Sequence, residues 1–179
     1  MTTALLIIDV QRALCSGEWA AFDIERVLER INALGARARA AGVPVLLVQH
    51  EEEAGPLRAD SAGWQLAEAL DTAPADLRVR KTTPDSYPRT ELQRLLRERG
   101  VGALVVCGLQ SDFCVDTTVR RALALGYHVT LAADAHTTLD NGVLTAAQIA
   151  AHHNATLAQM TGFGPRMTVV RAAEVALGP

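Results

Sequence analysis

Cys114 lies in a stretch of sequence that could position a thiol as a nucleophile. Residues 103–107 form a short run of branched apolar side chains, typical of a strand that is covered on both faces. Ser111 and Asp112 are good N-cap residues, so a helix should begin close to Cys114. A thiol at a helix start is expected to have a lowered pKa. The alternative is that Cys114 is a small buried apolar side chain, as many free cysteines are.

Five more reactive side chains lie at the ends of predicted strands or just past them. They are Asp9, His50, Lys81, Asp134 and His136. Because the carboxyl ends of parallel strands meet at one edge of a sheet, these residues and Cys114 are expected to lie close together. This convergence favours the nucleophile interpretation of Cys114.

A carboxylate, an ammonium and a thiol can divide acyl-transfer chemistry between them. Asp9 would take the proton of Cys114, and the sulfur would attack a carbonyl carbon to form a thioester. Lys81 would balance the carboxylate charge, and backbone N–H groups of the turn would hold the oxyanion. Taken singly, Asp9 could instead be a cap or loop residue and Lys81 an exposed lysine at a strand end.

Strand and helix patterns alternate along most of the chain. The predicted strands are residues 4–10, 43–48, 77–81, 103–107, 128–133 and 168–170. Amphipathic segments between them predict helices, including a short one over residues 64–70 and a terminal one over residues 171–177. The fold class is therefore α/β, with a three-layer, doubly wound, six-stranded parallel sheet that has helices on both faces. The length predicts a single domain, residues 1–179.

Composition excludes several classes of protein. Hydrophobic residues make up 49% of the chain, which is too many for a disordered protein, and the net charge of −3 gives no reason to expect nucleic acid or an anionic membrane as a partner. No apolar run approaches the length of a membrane span, and the N-terminus resembles a strand more than a signal peptide. The three cysteines are odd in number, which predicts reduced thiols in a cytoplasmic protein.

Three segments in this order resemble the isochorismatase-like cysteine hydrolases. They are Leu-Ile-Ile-Asp-Val-Gln at residues 6–11, Lys81, and Gly-Leu-Gln-Ser-Asp-Phe-Cys-Val-Asp-Thr-Thr at residues 108–118. Leu-Gly-Tyr at residues 125–127 and Asp-Ala-His at residues 134–136 fit the same pattern. The resemblance implies an Asp9-Lys81-Cys114 triad, hydrolysis of C–N bonds in amides, lactams or related groups, and a homo-oligomer, a dimer or larger.

The same resemblance implies two features of the turn before Cys114. The Leu109–Gln110 peptide bond would be cis, although neither residue is proline. The backbone N–H groups of Gln110 and Cys114 would form the oxyanion hole.

Two departures narrow the choice within the family. The isochorismatases proper, which cleave a vinyl ether, lack the nucleophilic cysteine that is present here as Cys114. Nicotinamidases resemble this chain but carry a metal site with an Asp-x-His pattern near the second strand, where this chain reads Val48-Gln49-His50. We therefore expect no metal and no cofactor.

The substrate pocket should be lined from loops at the same edge of the sheet. The candidates are Gln11, Trp19, His50, Tyr87, Gln110, Phe113 and His136. His50 could equally be a solvated loop histidine, and the glutamates at residues 51–53 are typical of a solvated loop. Trp64 lies on an apolar face and is expected in the core.

The leading hypothesis is a metal-independent cysteine hydrolase that opens a C–N bond in a small amide or lactam, with ureido compounds also possible. A nicotinamidase-type amidase with an altered metal site is a second candidate. A non-catalytic, doubly wound binding module is a third, but the chain has neither G-x-G-x-x-G after its first strand nor G-x-x-x-x-G-K-[ST].

Overall fold

A six-stranded parallel sheet forms the centre of the protein, with strand order β3-β2-β1-β4-β5-β6. The strands are β1 (Thr2–Ile8), β2 (Val45–His50), β3 (Leu77–Lys81), β4 (Val101–Leu109), β5 (His128–Thr137) and β6 (Met167–Val170). The structure is a computed structural model that describes residues 1–178, so Pro179, the last residue of the predicted domain, lies outside the described residues. The predicted fold class is confirmed.

Helices connect the strands and cover both faces of the sheet. They are α1 (Arg12–Cys15), α2 (Ile24–Ala40), α3 (Leu92–Glu98), α4 (Asp116–Ala124) and α5 (Ala146–Ala158). Short 3-10 turns cover Gly17–Trp19 and Ala172–Glu174. Among residues 1–178, no helix combines the length and apolar character that a membrane crossing requires.

Two separate apolar cores lie on opposite faces of the sheet, because side chains of a strand alternate between its faces. Leu5 and Ile7 of β1 point to the core covered by α2, whereas Ala4, Leu6 and Ile8 point to the core covered by α3, α4 and the end of α5. Every residue of β1 from Ala4 onward is buried. The two-sided covering explains why this strand is a continuous apolar run and shows no alternation with polar residues.

The structure differs from the sequence-based prediction in three segments. Residues 64–70 form no helix, because their backbone bonds to the end of the first strand: the Ala67 N–H donates to the Val10 carbonyl at 3.0 Å, and Leu66 bridges to Gln11. The terminal segment, residues 171–177, holds only the short 3-10 turn. The sequence predicted that Asp134 and His136 follow the fifth strand. Strand β5 instead extends through both residues.

Gly108 allows β4 to lie close beside β1 at the carboxyl edge of the sheet. It pairs with Ile8 and has a φ of +117°, a conformation that other residues rarely adopt. A Cβ atom at this position would lie 2.6 Å from the Ile8 nitrogen and would also meet the Ile8 carbonyl oxygen. Both are backbone atoms of a buried strand, so no side-chain rotation could relieve the clash. The glycine thus sets the distance between Asp9, which follows β1, and the turn that follows β4.

We expect Gly108→Ala to lower the free energy of unfolding by at least about 3 kcal/mol, because strained backbone and a backbone clash occur together. Gly126→Ala is the matched control: Gly126 has a φ of +94° but nothing within 4 Å of the added carbon, so it should cost only about 1 kcal/mol. Urea unfolding of both variants measures the difference. Equal losses would contradict the close approach of β4 to β1.

Candidate active site

A buried lysine lies at the centre of the site. The Lys81 side chain is fully buried, and its Nζ atom lies 2.8 Å from Asp9 Oδ2, 3.1 Å from Cys114 Sγ and 3.2 Å from His50 Nδ1. An ammonium has three N–H donors and no acceptor. Each donor of Lys81 therefore has one acceptor, which lets the charge exist away from water.

The sheet brings these four side chains together from distant positions in the chain. His50 and Lys81 are the last residues of β2 and β3 and pair in register. Asp9 follows β1 with a φ of +51°, and its N–H donates to the Val48 carbonyl at 2.9 Å. Asp9, Lys81 and Cys114 are thus brought to one edge of the sheet, as the sequence predicted.

Cys114 lies in a π-helical turn, Ser111–Val115, that precedes α4. The Gln110 carbonyl closes this turn by accepting hydrogen bonds from the N–H groups of Phe113, at 3.2 Å, and Val115, at 3.1 Å. The Leu109–Gln110 peptide bond is cis, as the resemblance implied. The α-helix itself begins only at Asp116, slightly later than the N-cap pattern predicted.

The Cys114 thiol is protonated at neutral pH. Its pKa is raised to about 12, chiefly by burial and next by the negative charge of Asp9, while Lys81 acts in the opposite direction. The predicted lowering of this pKa is therefore wrong, because loss of water outweighs the favourable effect of the nearby ammonium. A buried neutral thiol needs a base to become a nucleophile.

Asp9 is placed to be that base. Its Oδ2 atom binds Lys81, whereas its Oδ1 atom is buried and has no hydrogen-bond partner among residues 1–178. A buried acceptor without a partner is unusual, and each case calls for an explanation. A free carboxylate oxygen beside a protonated thiol is explained if it receives a proton during the reaction.

His50 is neutral, and one tautomer fits its contacts. Lys81 can only donate, so His50 Nδ1 accepts and the ring proton resides on Nε2. Burial, followed by the charge of Lys81, lowers the pKa of His50. Its Nε2 atom lies 3.8 Å from Glu52 Oε1.

A cavity of about 410 Å³ opens above Cys114. Four of the seven predicted pocket residues line it: Trp19, His50, Gln110 and Phe113. Its remaining lining residues are Asp9, Ala13, Leu14, Glu52, Pro56, Leu57, Pro84, Cys114 and Leu139. Sequence reasoning missed most of this last group, because apolar and proline residues in loops carry no signal that distinguishes a pocket wall from a surface turn.

Gln11 was predicted to line the pocket but is fully buried behind it. Its Nε2 atom donates to the carbonyls of His50 and Trp64, both at 2.9 Å, and its Oε1 atom accepts from the His50 N–H at 2.9 Å. All the polar atoms of its amide are used by backbone groups. Gln11 therefore joins the ends of β1 and β2 and fixes the position of His50.

Tyr87 was also predicted to line the pocket, and this is wrong. It is buried in the core beneath α3 and α4, where its ring lies 6.2 Å from that of Tyr127. Burial raises the pKa of its hydroxyl far above the usual range.

His136 likewise lies outside the cavity, buried behind the turn that contains Cys114. The Asn154 Nδ2 atom donates to the Ala133 carbonyl, so Asn154 Oδ1 accepts from His136 Nε2 at 2.9 Å. Burial lowers the pKa of His136, so the ring is neutral and its Nδ1 atom accepts from the Ser111 hydroxyl at 2.7 Å. This chain of hydrogen bonds holds the first residue of the turn that contains Cys114.

Within residues 1–178, no group of three histidine, cysteine, aspartate or glutamate side chains is arranged to hold a metal ion. His50 Nδ1 already accepts from Lys81, which leaves only one ring nitrogen for any other partner.

Comparison with known proteins identifies the family. A model of the isochorismatase domain matches residues 3–174. The chain belongs to this family. Streptothricin hydrolase of Streptomyces noursei is 44% identical over 138 residues, which are 76% of this chain and 55% of that protein. The match therefore spans about half the length of this curated relative.

Two other isochorismatase-family proteins extend the comparison. The crystal structure of an isochorismatase from Pseudomonas putida KT2440 superposes with a TM-score of 0.87 and 31% identity, over 97% of this chain and 90% of that one. Ureidoacrylate amidohydrolase RutB of Methylobacterium radiotolerans is 30% identical over 99% of this chain and 80% of its own length. The relatives of this isochorismatase-family chain thus include a hydrolase and an amidohydrolase.

The raised pKa of Cys114 leads to a prediction about its reactivity. Alkylation by iodoacetamide should accelerate about tenfold per pH unit from pH 7 to pH 9, because the thiolate fraction grows in that proportion below the pKa. In Asp9→Asn the alkylation should be faster at every pH, since the negative charge that helps to raise the pKa is gone. Peptide mass spectrometry would follow each thiol.

The fully buried Cys107 is the internal reference and should remain unmodified while the protein is folded. An alkylation rate of Cys114 that does not change between pH 7 and pH 9 would show that the thiolate is already formed, contrary to the geometry of the site.

Proposed function

We propose that this protein hydrolyses a C–N bond in a small amide or lactam through a thioester on Cys114. The observation that supports this most directly is the Lys81 ammonium, which contacts both Asp9 Oδ2 and Cys114 Sγ at the floor of the cavity. One counter-charge thus contacts both a base and a protected thiol, and the base and the thiol line a cavity that a small molecule can reach. This is the arrangement that covalent acyl transfer requires.

In the first half of the reaction, the free oxygen of Asp9 takes the thiol proton as the sulfur attacks the carbonyl carbon. The carbonyl oxygen becomes an oxyanion, which the backbone N–H groups of Gln110 and Cys114 would stabilise. Asp9 then gives the proton to the departing nitrogen, and the C–N bond breaks to leave an amine and a thioester.

In the second half, water occupies the place of the amine. The water oxygen attacks the thioester carbon while Asp9 takes a proton from the water. Asp9 then returns this proton to the sulfur as the C–S bond breaks. The products are a carboxylic acid and the resting thiol. Throughout, Lys81 stays charged and offsets negative charge as it moves between Asp9 and the sulfur.

The names of the relatives suggest which C–N bonds to test first. A streptothricin hydrolase and a ureidoacrylate amidohydrolase are both similar to this chain. The cavity of about 410 Å³ suits a compound of modest size and is within the usual range for small-molecule sites. Lactams, ureido compounds and simple amides are therefore the substrate classes that we propose.

The two alternatives receive less support. A nicotinamidase with an altered metal site would need ligands that residues 1–178 do not bring together. A non-catalytic binding module would have no use for a buried carboxylate oxygen that receives no hydrogen bond from the described part of the chain, because such an atom is costly for structure alone.

Cys114→Ala should reduce turnover at least about 1,000-fold, and Asp9→Asn at least about 100-fold, because the first lacks the nucleophile and the second lacks the base. Ammonia release and mass spectrometry of the products, over a panel of amides, lactams and ureido compounds, would measure this. Added hydroxylamine should divert the wild-type thioester to a hydroxamate.

Cys15→Ala is the matched control, because Cys15 is a second partly buried thiol that does not line the cavity. It should keep wild-type turnover. Full activity of Cys114→Ala, or hydrolysis without a trappable acyl group, would rule out the thioester mechanism.

A further inference from the structure

Glu52 places an uncompensated negative charge in the wall of the cavity. Two acidic side chains line the cavity, Asp9 and Glu52, and the charge of Asp9 is matched by Lys81 beneath the floor. Within residues 1–178, no lysine or arginine side chain contributes to the lining. The remaining lining is chiefly apolar, so Glu52 dominates the electrostatic character of the site.

The neighbours of Glu52 leave its charge available. The neighbouring Glu51 pairs with Arg80 at 2.6 Å. Glu52 has no such close partner among residues 1–178, and its Oε1 atom lies 3.8 Å from His50 Nε2. His50 is neutral and offers an N–H group, not a positive charge. Glu52 was expected to be merely solvated, yet its side chain is 47% exposed and faces the cavity.

The loop that carries Glu52 holds it in place. The Glu52 N–H donates to the Leu57 carbonyl at 3.0 Å, and Glu52 bridges to Arg58, so residues 52–58 close on themselves beside the cavity. Pro56 and Leu57 of the same loop belong to the lining. The backbone of Glu52 is therefore fixed in the wall of the cavity, and its side chain extends from that fixed position.

The carboxylate and the nucleophile lie within reach of one small molecule. Successive contacts of 3.8, 3.2 and 3.1 Å lead from Glu52 through His50 and Lys81 to Cys114 Sγ. A compound whose carbonyl lies at the sulfur could thus place a second group at Glu52 without leaving the cavity.

We propose that Glu52 binds a cationic group of the substrate, so that the enzyme acts on amides or lactams that carry a protonated amine or a guanidinium. This inference rests on the proposed function and names its substrate class. Substrates with a carboxylate at the same place would be disfavoured, because like charges repel and no positive side chain of the lining offsets them. Because the Glu52 side chain is half-exposed, solvent screens its charge, and the preference between substrates of different charge is moderate.

A set of straight-chain primary amides that end in an ammonium, a methyl or a carboxylate group tests this proposal. Wild-type kcat/KM, from ammonia release, should favour the ammonium compounds about three- to tenfold over the methyl compounds, with the carboxylates lowest. Glu52→Gln should abolish the preference for ammonium over methyl compounds. Glu52→Lys should reverse the order.

Glu53→Gln is the matched control, because Glu53 is an exposed neighbour that does not line the cavity. It should keep the wild-type preference. The same compounds should also protect Cys114 from iodoacetamide in the same order, which requires binding but no turnover.

The outcomes separate the two proposals. The role of Glu52 would be overturned if amide hydrolysis requires Cys114 but shows no charge preference, or if Glu52→Gln keeps the wild-type charge preference. Either result would leave the proposed function standing. Hydrolysis that survives in Cys114→Ala would overturn the proposed function, while charge-dependent protection of Cys114 would still support Glu52. Equal protection by all three kinds of amide would overturn the role of Glu52 even without turnover.

Discussion

The burial of one ammonium group is the constraint on which the site depends. A lysine charge without water is costly unless every donor is matched, and the three acceptors of Lys81 come from three different parts of the chain. Strands β1 and β2 and the turn before α4 must therefore be in place before the charge is stabilised. The side chains of the candidate active site and the carboxyl edge of the sheet therefore form one structural unit.

The same burial explains the state of the thiol. Burial removes much of the water around Cys114, so its pKa rises in spite of the adjacent ammonium, and the resting sulfur stays neutral. A neutral thiol is protected from chance oxidation and alkylation, since the thiolate is the reactive form. In the proposed mechanism, reaction then depends on a substrate whose carbonyl accepts the sulfur while Asp9 accepts the proton.

Buried polar side chains around the site act on its geometry without entering the cavity. Gln11 binds only backbone groups and fixes the end of β2, where His50 lies. His136 holds Ser111 and, through it, the turn that contains Cys114. Reactive residue types near strand ends thus include supports as well as participants, and residue type alone does not distinguish them.

The sequence by itself determined the parallel sheet and the meeting of Asp9, Lys81 and Cys114, because apolar strand patterns and strand ends follow from local residue order. It did not determine that Gln11, Tyr87 and His136 would lie outside the cavity, or that Glu52 would line it. Only the tertiary structure decided these positions and the raised pKa of Cys114. Side-chain direction, burial and loop closure depend on contacts between residues far apart in the chain, and no local pattern encodes them.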